Sequence, residues 1–134
     1  MMLKIAWLVL AAVHATPALA FFRPATLTTL YRLDNSDPLF PLMHHRAALF
    51  VAVFALCLWS AFDSQPRRAA VVVTGISMLS FLALYFLNDS PKPLKTIAMV
   101  DLVGIPFLFF VAWNGFLAVD QNQTRNGWPR PSID

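Results

Sequence analysis

Residues 96–119 read TIAMVDLVGIPFLFFVAWNGFLAV, 24 positions carrying one ionisable side chain, Asp101. A helix needs roughly 20 apolar residues to cross the ~30 Å hydrocarbon core of a bilayer, and this run exceeds that. Working back along the chain, residues 3–22, 47–62 and 69–87 form three further apolar runs of 20, 16 and 19 residues. The stretches between them are polar and rich in Pro, Arg and Asp. In hydrocarbon a backbone has to satisfy its own hydrogen bonds, so each run must be a helix and the helices must pack together. The expected fold is all-α, an integral membrane up-down four-helix bundle. Its spans are expected at about 3–22, 45–63, 68–87 and 95–119, in one unit covering 1–120, followed by a polar tail, 121–134.

Composition agrees. The chain is 58% hydrophobic and only 13% charged, with a mean hydropathy of +0.62, which excludes an ordinary soluble domain. There is no Glu, and most of the seven Asp fall between the runs. The net charge of +3 reflects ten Lys and Arg at run ends and in connections. They read as flanking anchors, with contact to anionic headgroups as the functional alternative. The lipid bilayer is therefore the expected partner and nucleic acid is not; a homo-oligomer or a larger membrane complex stays open. Cys57 is the only cysteine, which rules out an internal disulfide or a CxxC pair and makes it a packing residue.

The N-terminus supports two readings. Lys4, the apolar stretch 5–13 and the small residues Ala18-Leu19-Ala20 resemble a secretory signal with a cleavage site. The run nevertheless continues through Phe21 and Phe22, long enough to span, and a retained first span is the preferred expectation. With that terminus inside, Lys4, Arg67, Arg68, Arg125 and Arg130 face the cytoplasm, against Arg23, Arg32, Arg46, Lys92 and Lys95 opposite. Five against five gives no bias; the tight Arg67-Arg68 pair favours both termini inside.

Between the first two spans, Leu27, Leu30 and Tyr31 recur at i, i+3, i+4 after Pro24. That predicts a short interfacial helix at about 25–33, or a lid over a site, ended by a turn at 34–38. The turns at 63–68 and 88–95 are short, so they join antiparallel neighbours.

Ionisable groups inside a span are costly and mark functional sites by default. His14 and Asp101 lie inside runs, while His44, His45 and Arg46 stand at the entrance to the second. At ~1.5 Å per residue, His14 is about 12 Å before Phe22 and Asp101 about 9 Å past Lys95. In an alternating bundle these ends share one side, so His14, His45, Arg46 and Asp101 are the candidate ligand-binding or proton-relay residues. Such a set suits a polar headgroup, a proton relay or a quinone carbonyl. The structural alternative is an Arg46–Asp101 ion pair that fixes packing, with His14 bonded to a neighbouring helix.

Pro106 removes the bond to the Leu102 carbonyl and should kink the last span, and Gly104 permits close helix approach. Ser77, Ser80 and Asn114 are expected to bond between helices, and Trp7, Trp59, Trp113 and Tyr85 to form interfacial belts. His44-His45 lacks the partners for a metal site, so no metal is expected. No nucleophile elbow, P-loop or HExxH occurs, so no catalytic residue is assigned and the lean is away from an enzyme.

The four-span layout, His45-Arg46-Ala47-Ala48-Leu49-Phe50 opening the second span and Asp101-Leu102-Val103-Gly104 in the fourth resemble the DoxX-like group of small bacterial membrane proteins. The second span here has no glycine where that group shows several, and the acidic residue is Asp. The resemblance implies a bacterial cytoplasmic membrane, the four-helix fold and a connection to quinone; no cofactor is otherwise indicated. The expected function is a binding or accessory subunit with a polar intramembrane pocket, associated with a quinone-linked respiratory enzyme. Its rivals are a four-span dimeric small-molecule or proton-coupled transporter and a quinone-linked oxidoreductase.

Overall fold

The computed structural model describes residues 1–31 and 36–125. Five α-helices follow in order: α1 (Met2–Phe22), α2 (Ala25–Tyr31), α3 (Phe40–Phe62), α4 (Arg67–Leu87) and α5 (Lys95–Arg125), with a 3-10 turn at Lys92–Leu94 leading into α5. α1, α3, α4 and the part of α5 from Lys95 to Phe116 are each long and apolar enough to cross a membrane. The chain is an all-α, multi-pass integral membrane protein whose long helices alternate up and down. Part of the turn expected at 34–38, the end of the interfacial helix expected to 33, and the tail beyond 125 lie outside the described residues.

Local chemistry sets the helix ends. The Asp37 carboxylate accepts the Leu39 N–H at 2.8 Å, and Pro41 sits in the first turn of α3, where an N–H has no helical partner to lose. α3 therefore begins at Phe40, ahead of the apolar run itself. At its other end the Asp63 carboxylate accepts the Gln65 N–H at 2.9 Å, closing the tight turn into α4.

Packing is uneven around the bundle. α1 is the central helix: it lies along α3 and also packs on α5, α4 packs on α5, and the seam between α3 and α4 is the thinnest. Trp7, Leu10, Ala11, His14 and Ala18 are buried on one face of α1 at helical spacing. They meet Val53, Cys57 and Ala61 of α3, Ala70, Val71 and Met78 of α4, and Leu108 and Val111 of α5. The outward faces stay apolar: Ile76 is 65% and Val103 66% exposed, as a hydrocarbon solvent requires.

Two expectations are corrected. Trp59 and Trp113 face outward as belt residues do, but Trp7 is fully buried and Tyr85 nearly so. Ser80 bonds the Ser77 carbonyl at 3.3 Å and Asn114 the Phe110 carbonyl at 2.8 Å, each within its own helix. Bonds between long helices come from other side chains: Cys57 Sγ lies 3.2 Å from Thr74 Oγ1, and Arg67 Nε donates to the Ser60 carbonyl at 3.0 Å, both between α3 and α4, while Arg68 Nε donates to the Gly115 carbonyl of α5 at 3.3 Å.

Candidate functional site

A cavity of about 310 Å³ lies between the long helices at the end where α3 begins. Val13, His14, Thr16 and Pro17 of α1 form one wall, Arg46 and Phe50 of α3 another, Ser77 and Phe81 of α4 a third, and Thr96, Ile97, Val100 and Asp101 of α5 the last. α2 lies over this end. Its Leu27 is buried against Ala20 and Ala47, and its Thr29 joins the cavity wall.

Three of the four candidate residues meet here. His14 is 2% exposed because it shares the inward face of α1 with Trp7 and Leu10. Its Nδ1 donates to the Leu10 carbonyl at 2.9 Å, so in the neutral ring Nε2 is the acceptor. The ring stands 6.0 Å from that of Phe50. The expected bond from His14 to a neighbouring helix is therefore made within α1 instead.

Asp101 is 9% exposed, yet among the described residues it forms neither a hydrogen bond nor an ion pair. A largely buried acidic residue without a hydrogen-bond partner is costly, and Asp101 lines the cavity. Arg46 acts on it by charge through space. The guanidinium itself lies over two rings, 5.6 Å from the centre of Phe50 and 5.9 Å from that of Phe81. Both distances suit a cation–π contact.

His45 does not join the group. It is exposed and stands outside the cavity wall; neighbours on a helix project about 100° apart, and Arg46, also exposed, takes the side that reaches the wall. His44 is engaged elsewhere, its Nε2 2.9 Å from the Phe21 carbonyl. Gly104 and Pro106 lie away from the cavity. A Cβ on Gly104 would come 2.6 Å from Met78 Cε, so the glycine serves the approach of α5 to α4. Pro106 remains inside α5 and lines an apolar groove with Ile5, Ala6 and Phe107.

Phe50, Ser77, Phe81, Thr16, Thr29 and Thr96 also line the wall without having been candidate site residues. For Phe50 a signal existed, because Arg46 and Phe50 are four apart and share one helix face. For Ser77 and Phe81 the same spacing occurs on α4, but nothing local ties that face to Arg46. Among the described residues no three metal-ligating side chains come together.

No family model, curated protein or solved structure matches this chain. The DoxX-like resemblance thus gains no support from known proteins, and what stands is a small four-span integral membrane protein.

Proposed function

We propose that this protein binds the polar head of a small membrane-dissolved molecule, of the quinone or quinol type, in the cavity between His14, Arg46 and Asp101. Its role is that of a binding or accessory subunit beside a quinone-linked respiratory enzyme, with both termini on the cytoplasmic side. The observation that carries this reading is Asp101, a largely buried acidic residue at a cavity wall that has no hydrogen-bond or ion-pair partner among the described residues. A ligand hydroxyl supplies the missing donor. His14 Nε2 is a second acceptor, and the Arg46 guanidinium a donor to the other ring oxygen. Volume restricts the ligand: ligand pockets run from about 300 to 1,000 Å³, so a cavity at the lower limit holds a single ring rather than a whole lipid.

Native mass spectrometry of the protein released from mild detergent, beside Asp101→Asn, tests this. A reproducible adduct in the parent that is lost from an equally folded variant supports the assignment and reveals the ligand mass. An adduct retained in Asp101→Asn, or absent from a parent incubated with a short-chain quinol, removes it.

A further inference from the structure

We propose that the cavity is entered sideways from the bilayer hydrocarbon, through a slit between α3 and α4, and that the ligand is an amphiphile whose tail occupies that slit. This rests on the reading of the cavity as a ligand site and adds the route and the shape of what enters. A second hollow of about 320 Å³ lies on the α3–α4 face, walled by Leu49, Val53, Ser80 and Leu84. Arg46, Phe50, Ser77 and Phe81 line both spaces, so these four side chains divide the hollow from the cavity.

The slit follows from side-chain size. Near the Asp63 turn, small Cys57 and Thr74 touch at 3.2 Å. Two turns further from that end stand the larger Phe50 and Phe81, with the Arg46 guanidinium over both rings. α2 packs over the end of the bundle, and the α3–α4 flank is the thinnest seam beside the cavity. Leu49 and Leu84 at its rim are exposed, so a tail lying between them stays in hydrocarbon. A tailed molecule loses no apolar environment on entering this way. Its head meets Arg46 first, and the cation–π contacts that hold Arg46 across the slit are weak enough to be exchanged for a bond to that head.

The test uses an alkyl hydroquinone with a diazirine near the end of its chain, kept reduced, photolysed with the protein in lipid nanodiscs, and peptide mapping of the adducts. A methyl hydroquinone serves as the tail-free probe of the cavity, followed by calorimetric titration. Labels on the facing sides of α3 and α4 around Leu49 and Leu84 are expected. Leu84→Trp should lower that labelling roughly tenfold while the methyl hydroquinone still binds. Leu49→Trp fills the slit from the opposite wall and serves if Leu84→Trp does not fold. Labels around Thr29 and Thr96, in the groove beside Phe107, or undiminished by either tryptophan overturn the lateral route while the cavity assignment stands. If neither hydroquinone binds the parent, the cavity assignment falls and takes the route with it.

Discussion

Arg46 and Asp101 line one cavity from α3 and α5 and form no ion pair. The guanidinium is held by the rings of Phe50 and Phe81, and the carboxylate is left to the space between them. An ion pair would have made the two residues a packing device. Their separation makes them two sides of a site, and it has measurable consequences.

Stability coupling between the two should be modest, limited to their through-space charge attraction. In a double-mutant cycle of Arg46→Gln and Asp101→Asn, thermal unfolding in one detergent should give an interaction term of about 1 kcal/mol or less. Arg46→Gln alone should cost about 0.5–1 kcal/mol through its lost ring contacts. A coupling of several kcal/mol would restore the ion-pair reading.

Removing the carboxylate should stabilise the fold. Asp101→Leu takes a polar group without a partner out of a spanning helix, and a gain of about 1–3 kcal/mol is expected alongside the loss of ligand binding. Asp101→Asn should stay within about 1 kcal/mol of the parent, since it removes no bond to the protein. A destabilised Asp101→Leu would mean that the carboxylate holds the bundle together.

Gly104 should accept a methyl group and reject more. The atom a new Cβ meets is the far end of the flexible Met78 side chain, and alanine gains about 1 kcal/mol of helix propensity over glycine. Gly104→Ala is therefore expected to be near neutral. Gly104→Leu should cost about 1–3 kcal/mol by overpacking, with much of this recovered in the double variant with Met78→Ala. Unfolding midpoints of the three proteins decide it.

The Cys57–Thr74 contact gives a probe of the α3–α4 seam. Cys57 is fully buried, so maleimide should label it only after unfolding. Thr74→Val should cost about 0.6 kcal/mol, the usual scale for a side-chain bond between membrane helices, and should speed that labelling. Rapid modification of the folded parent would show that the seam opens along its whole length.

Much of this protein is legible in one dimension. Run length marks the four helices, short turns make neighbours antiparallel, and counting residues from the run ends brings His14, Arg46 and Asp101 to one side of the membrane. Rotation about each helix axis is another matter. His45 and Arg46 are adjacent in sequence, yet one points away and the other into the cavity. Trp7 near a run end looks like a belt residue and is fully buried. Phe81 joins Arg46 only because α4 presents that face to the thin seam.

The amino-acid sequence by itself determined the environment, the helix count and the alternation, because these depend on how many apolar residues follow one another. The tertiary structure alone decided which face of each helix turns inward, where α3 and α4 part, and that Arg46 meets two rings instead of a carboxylate. The reason lies in the solvent. In water an amphipathic stripe announces the buried face, whereas in lipid the core and its surroundings are both apolar, and only side-chain packing sets the rotation.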